Sequence, residues 1–158
     1  MKTIISSLLF SILFSFSAFS AVTGSSLLQG KVSSRVSIEV FPEMIAGALD
    51  LSTTQTDLKV ASYREKSNAI LSGYRVRISS ANLGKLKRID GAEVFPYSLK
   101  YDGTTLNLST SSGTTYERWH IFPVSLLRNL TISYTGKPLE QMVTGTYTDT
   151  ITFEIAAR

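Results

Sequence analysis

The side chains that could carry out chemistry are few in this sequence. His120 is the only histidine, it lies in a stretch with strand character, and there is no cysteine. A catalytic or metal site needs reacting groups or ligands held in mutual geometry. Four acidic residues could pair in space but show no ligand spacing: Asp90, Glu93, Asp149 and Glu154. The sequence predicts that the protein is not an enzyme and that it uses no metal or cofactor. His120 is predicted to be a structural or a surface residue.

The charge pattern gives no sign of a nucleic-acid partner. The formal net charge is +4, and Lys85, Lys87 and Arg88 form the only basic cluster. Nucleic-acid surfaces usually combine basic side chains with interleaved aromatic ones, and no aromatic residue accompanies this cluster. A solvated bend in the chain is the better interpretation.

The clearest element that could position a site is the final stretch, residues 145–156. Its side chains alternate with period two, which predicts a strand with one face on a core and the other in water. One face carries Tyr147, Asp149, Ile151, Phe153 and Ile155; the other carries four threonines and Glu154. A chain that ends on such a strand must give it two neighbours or leave an open edge.

Asp149 is the exception on the apolar face of this final stretch. A carboxylate there must find hydrogen-bond donors. Two roles stay open: a strand-end aspartate bonded to a turn, or a polar latch that sets the strand register.

Residues 1–20 have the pattern of a signal peptide. Lys2 supplies a positive charge, residues 4–19 are apolar or serine, and Ala18-Phe19-Ser20 predicts cleavage before Ala21. A membrane span needs roughly 20 predominantly apolar residues, and this run is shorter and diluted with serine. We expect export through the periplasm, with stability from packing alone because no disulfide can form.

The rest of the chain reads as short strands joined by turns, with no helical period. Asp102-Gly103, flanked by alternating apolar residues, predicts a type I′ hairpin. A strand is also predicted at residues 49–52 and a polar turn at 65–68. The pattern predicts an all-β, immunoglobulin-like antiparallel β-sandwich over residues 33–158. Residues 21–32 form an N-terminal extension before it.

Several motifs, in order, resemble those of one family. The first pair is Leu28-x-Gly30-x-Val32 and Val36-x-Ile38-x-Val40, and the second is Glu65-Lys-Ser-Asn68 followed by a strand from Gly73. The others are Pro96-Tyr-x-Leu-x-Tyr-Asp-Gly103 and Gly145-x-Tyr147-x-Asp149-x-Ile151-x-Phe153-x-Ile155. Together they resemble chaperone–usher fimbrial (pilin) subunits, including spore-coat-U-like and related bacterial pilin domains. Many of those subunits hold the first strand with a disulfide, which this cysteine-free chain lacks.

The resemblance implies a sandwich without its final strand, whose last strand borders an apolar acceptor groove. A periplasmic chaperone would fill the groove first, and the extension of a neighbouring subunit would replace it at an outer-membrane usher. The implied acceptor residues are the five on the apolar face of the final stretch. The implied donor residues are Val22, Gly24, Ser26 and Leu28. The expected product is a surface fimbria, with adhesion to a host or surface receptor as a further role.

Two other interpretations stay open. In the first, residues 21–32 close the groove of their own domain, giving a self-complemented periplasmic or coat protein. In the second, the chain is a secreted carbohydrate-binding sandwich that uses Tyr116 and Trp119 at an exposed loop end.

Overall fold

A computed structural model of the chain describes residues 23–158. Val32–Arg158 forms one compact unit, while the residues before it belong to a second unit and, from residue 23 on, contain no strand or helix. The predicted signal peptide and Val22 lie outside the described residues. None of the helices in the described part of the chain is long and apolar enough to cross a membrane.

The compact unit contains eleven strands and two short 3-10 helices, Met44–Gly47 and Leu139–Gln141. All strand pairs are antiparallel. The strands are β1 (Val36–Pro42), β2 (Gln55–Ser67), β3 (Tyr74–Ser80), β4 (Lys85–Arg88), β5 (Val94–Pro96), β6 (Ser98–Tyr101), β7 (Thr104–Thr105), β8 (Thr114–Arg118), β9 (Val124–Tyr134), β10 (Tyr147–Thr148) and β11 (Ile151–Ala157).

The first sheet has the order β1-β2-β9-β6-β7. Its centre is the ladder between β2 and β9, which runs from Gln55 opposite Tyr134 to Ser67 opposite Val124 and contains two register shifts. Strand β9 forms because its apolar residues alternate, so that Leu130, Ile132 and Tyr134 all point into the core.

Two further three-stranded sheets have the orders β11-β3-β8 and β10-β4-β5; because β3 leads into β4 and β10 into β11, we describe them together as the second sheet. Residues 81–84 separate β3 from β4, and Asp149 and Thr150 separate β10 from β11. Because β10 and β11 pair with β4 and β3, both breaks fall at the same level; we call this boundary between the two halves the crease. Gly84 lies in this crease with a φ of +74°, a conformation that glycine adopts without strain.

The core lies between the two sheets. Phe153 of β11 stacks on Tyr63 of β2, and Phe95 of β5 meets Tyr134 of β9 edge to face. Side chains from both sheets therefore interdigitate, as in a β-sandwich. The prediction of an all-β antiparallel sandwich is confirmed.

Local predictions had mixed outcomes. The hairpin at Asp102-Gly103 is confirmed: both residues have positive φ and join β6 to β7. The predicted strand at residues 49–52 is wrong, because this segment is a loop with a turn. The predicted turn at 65–68 is also wrong at its start, since β2 continues to Ser67. The final stretch forms two strands rather than one.

Candidate functional site

The candidate site is the line where the two sheets meet along β1 and β11. In the described part of the chain, β1 pairs only with β2 and β11 only with β3, so each is the outer strand of its sheet. Cα atoms of β1 and β11 approach within 8 Å, but no hydrogen-bond ladder joins the two strands. We call this line between β1 and β11 the seam. It has two unpaired strand edges, which are templates for pairing with another extended chain.

The seam has a partly exposed apolar row along β11. Burial alternates along the strand, with Ile151, Phe153 and Ile155 half-buried and the residues between them exposed. Val36 and Ile38 of β1 are also half-buried and pack against the core. These side chains rest on the core from one side only, so a further strand in the seam would remove more apolar surface from water.

A cavity of about 730 Å³ lies beyond one end of the seam, since its lining residues follow β1 and precede β11 in the chain. One wall is the segment 46–52, which begins at the end of the first 3-10 helix, and the other is the segment 142–149, which includes β10; Leu86 and Leu139 also line the cavity. Leu49, Met142 and Tyr147 contribute half-buried apolar surface to these walls. The volume lies within the range of about 300–1,000 Å³ found for ligand pockets, so the cavity can accept an apolar side chain from an added strand.

Asp149 holds the crease of the second sheet together. Its carboxylate accepts hydrogen bonds from the Ser80 hydroxyl at 2.6 Å and from the Asn82 backbone N–H at 3.0 Å. It also accepts from the Tyr97 hydroxyl at 2.5 Å and from the Thr150 N–H at 2.7 Å. The pKa of Tyr97 is raised mainly by burial of its hydroxyl and, to a smaller extent, by the hydrogen bond to Asp149. These contacts agree with the first predicted role, an aspartate bonded to a turn, and a role in setting the strand register stays a prediction.

Glu65 lies where the sequence predicts a polar turn, and its burial was not predicted. It is fully buried, and it accepts hydrogen bonds from the Tyr74 hydroxyl at 2.6 Å and from the Tyr101 hydroxyl. The Nε of Arg128 lies 3.9 Å from its carboxylate. The signal that could have revealed it is the spacing of two from Tyr63, which places both residues on the core face of β2.

Three of the four predicted donor residues are among the residues that the structure describes, and all three belong to the unit that ends at Lys31. Gly24, Ser26 and Leu28 lie in a segment without secondary structure, and Leu28 is 92% exposed. Nothing lies within 4 Å of where a Cβ on Gly24 would be. The five predicted acceptor residues lie along β10, Asp149 and β11, and are half-buried.

Two aromatic residues were predicted at an exposed loop end, and only one is there. Trp119 is exposed. Tyr116 instead lies in β8 and is half-buried, with its ring 5.9 Å from that of Tyr101. His120 is half-buried, and its ring stacks at 5.5 Å on Tyr74.

No family model matches the chain, and no curated protein matches it. Among solved structures, it is similar to HdaB, the minor tip subunit of the E. coli Hda pilus. The two share 15% sequence identity with a TM-score of 0.40, over 76% of this chain and 80% of that chain.

Proposed function

We propose that the protein is a structural subunit of a surface fibre, and that the seam accepts an extended segment from a neighbouring subunit. The observation that carries the proposal is the pair of unpaired edges, β1 and β11, on either side of a partly exposed apolar row. An extended chain laid along the seam would satisfy backbone groups on these edges and cover the row. This is strand addition used for assembly.

The distance between β1 and β11 determines how far these strands must move apart to admit a further strand. Neighbouring strands lie about 4.8 Å apart, so a strand between β1 and β11 needs roughly twice that distance. Cα atoms of the two strands approach within 8 Å, so the incoming strand must push them slightly apart. The apolar surface that it covers offsets this cost. Because β1 and β11 belong to different sheets, the movement breaks none of the described strand ladders.

The segment that we propose as donor is residues 21–32. Val22 and Leu28 would place apolar side chains on one face, with Gly24 and Ser26 between them where the backbone must come close. The exposure of Leu28 leaves this side chain available for another subunit. Before assembly, the open seam would need a covering partner, for which a periplasmic chaperone and an outer-membrane usher are the proposed candidates. The proposed location is the cell surface, with no catalytic role.

Deletion of residues 21–31 from the exported protein tests the proposal. We expect the shortened chain to lose self-assembly but to bind a synthetic peptide of residues 21–32. A ligand of the native state at a hundred times its Kd stabilises it by about 2.7 kcal/mol, so the melting temperature should rise on adding peptide. Leu28→Asp in the peptide should weaken binding, because a carboxylate would enter an apolar groove.

Matched peptides sharpen the test. Gly24→Val should weaken binding, whereas Gln29→Ser, on the opposite face of an extended donor, should not. If no peptide raises the melting temperature and the full chain never polymerises, the proposed function is wrong. A stable monomer that binds glycans would support the carbohydrate-binding interpretation. A monomer that unfolds when residues 21–31 are deleted would support self-complementation.

A further inference from the structure

A second concave surface lies at one end of the first sheet. It is an open groove of about 450 Å³ at the place where β2 and β6 begin and β9 ends. No residue of β1 or β11 lines it, and it shares no lining residue with the cavity beyond the seam. Seven of its ten lining residues carry a side-chain hydroxyl group, so we call it the hydroxyl groove. Its volume is within the range of about 300–1,000 Å³ found for small-ligand sites.

An irregularity in β2 shapes the hydroxyl groove. The register between β2 and β9 shifts between Gln55 and Leu58, and Asp57 within this bulge has a φ of +52°. The Asp57 backbone N–H donates to the Ser133 hydroxyl at 2.9 Å, which fixes the bulge against β9. Bulges of this kind redirect side chains and are frequent beside functional sites. Thr56, immediately before Asp57, is an exposed residue of the groove wall.

Lys137 supplies the positive charge of the hydroxyl groove. The residue is half-buried, and its Nζ lies 5.6 Å from the centre of the Phe95 ring, which is a cation–π contact. Its backbone N–H donates to the Leu51 carbonyl at 3.0 Å. A Cβ on the preceding residue, Gly136, would lie 2.5 Å from the Thr53 carbonyl carbon. The backbone that carries Lys137 is therefore held closely against the segment before β2.

The ammonium group of Lys137 has no ion-pair partner among residues 23–158. Three acidic residues lie near it or near the groove in the chain, and none pairs with it. Asp57 pairs with Lys100 at 2.8 Å, and the Asp50 carboxylate accepts hydrogen bonds from hydroxyls of its own turn. Glu140 is exposed on the second 3-10 helix. Lys137 is thus a half-buried cation that is free to bind an anion from outside, to which it can donate charge-assisted hydrogen bonds.

We propose that the hydroxyl groove binds a sugar residue that carries a carboxylate, as a uronic acid does. Lys137 donates to the carboxylate, and this charge-assisted hydrogen bond is stronger than one between neutral groups. Thr56 and Thr135 are exposed groove residues, and their hydroxyls both donate to and accept from the hydroxyls of the sugar. The exposed ring of Pro96 gives the groove an apolar surface for the C–H groups of the sugar. The site goes beyond the proposed function, because no part of the seam belongs to it.

Saturation-transfer NMR with glucuronate, which carries both a carboxylate and sugar hydroxyls, tests the inference on the full exported chain. The method observes the ligand, so it works on a monomer and on a fibre alike. We expect saturable binding of glucuronate, and at least about tenfold weaker binding of glucose, which lacks the carboxylate. Acetate, which lacks the sugar hydroxyls, should also bind at least about tenfold more weakly.

Variants locate the binding. Lys137→Gln should weaken glucuronate binding about tenfold, because a charged donor is lost, whereas Lys137→Arg keeps the cation and should retain most of the affinity. Lys87→Gln is the matched control, since Lys87 is an exposed lysine of β4 outside the groove and its loss changes the net charge equally. Thr135→Val should weaken binding as well, whereas Thr152→Val, on the exposed face of β11, should not.

The inference is overturned if glucuronate does not bind, or if glucose or acetate binds as tightly. Unchanged glucuronate affinity in Lys137→Gln also overturns it, and if that variant does not fold, Thr135→Val decides the location on the same criterion. Assembly and the binding of the 21–32 peptide should be the same in Thr135→Val as in the parent. Those two measurements test the seam, so failure of the groove and failure of the proposed function are distinguishable.

Discussion

Tyr63 and Phe153 stack across the interior of the sandwich, with ring centroids 3.7 Å apart and planes inclined at 24°. Tyr101 completes a three-ring cluster, with its ring 6.1 Å from Tyr63 and 5.7 Å from Phe153. Tyr63 and Tyr101 belong to the first sheet and Phe153 to the second. The outer strand β11 is thus fixed from the inside by aromatic contacts while its outer edge stays unpaired.

Phe153→Ala should lower the free energy of unfolding by about 3 kcal/mol, because it removes a half-buried aromatic ring that stacks on Tyr63 and leaves a cavity beside it. Thr152→Ala, on the exposed face of the same strand, is the matched control and should change stability by less than about 0.5 kcal/mol. Urea titration of both variants measures the difference. Equal effects would show that β11 does not contribute its Phe153 face to the core.

Tyr74→Phe should cost about 1–3 kcal/mol, because the buried Glu65 carboxylate loses one of its hydrogen-bond donors. The ring itself is retained, so packing changes little. Tyr147→Phe is the control: its hydroxyl bonds to the Val143 carbonyl at an exposed site. Its loss should be within about 0.5 kcal/mol. Thermal unfolding of the two variants at neutral pH compares them, and a similar loss for both would argue against a structural role for Glu65.

Asp149→Ala should cost about 3 kcal/mol, since four donors lose a charged acceptor. Asp149→Asn should cost less, because the amide keeps one acceptor oxygen in place. Asp90→Ala serves as control, as Asp90 is exposed and lies in the turn between β4 and β5. Hydrogen exchange of the Asn82 and Thr150 amides should rise in Asp149→Ala. Unchanged protection of these two amides would contradict the role assigned to Asp149.

Stability should fall steeply above about pH 10. Burial raises the pKa of Tyr63, and burial followed by the hydrogen bond to Glu65 raises the pKa of Tyr101; the pKa values of Tyr74 and Tyr97 are raised as well. Above the ordinary tyrosine pKa of about 10, the unfolded chain loses these protons while the folded chain keeps them. The stability present below that pH is therefore lost as pH rises toward the folded pKa values.

Each of these tyrosines contributes a slope of about 1.4 kcal/mol per pH unit above pH 10. Tyr63→Phe removes one ionisable group, so its stability should decline with pH less steeply by about that amount. Urea titrations at several pH values between neutrality and pH 12 give both slopes. Identical slopes for the variant and the parent would mean that Tyr63 is not protected from ionisation by burial.

The sequence predicted what depends on near neighbours. The alternation along residues 151–155 and the positive φ preference at Asp102-Gly103 are local properties, and both appear in the fold. The spacing of two between Tyr63 and Glu65 indicates a shared face, but it could not establish that Glu65 is buried, because the hydroxyls that bond to its carboxylate belong to Tyr74 and Tyr101 on other strands. The break at Asp149 was missed for a similar reason: its donors Ser80 and Tyr97 are distant in sequence.

The seam could not be predicted from residues that are close together in the sequence. An open edge is the absence of a partner, and it is defined only when the pairing of all other strands is known. The half-buried row of β11 could be predicted, but the position of β1 beside it depends on the β1–β2 and β3–β11 ladders. The cavity at the end of the seam also depends on the segment 46–52, within which the sequence predicted a strand at residues 49–52.

The central ladder of the first sheet also determines when the protein can fold. Strand β2 pairs with β9, and the whole of residues 68–123 lies between them in the chain, so a ribosome must release that segment before the ladder can close. Closing so long a loop precedes any gain from the contacts, and β-sandwiches of this kind fold in milliseconds to seconds. Throughout that interval the apolar strands stay uncovered and prone to aggregate. The N-terminal strands are synthesised first, so β2 can pair with β1 but must wait for β9.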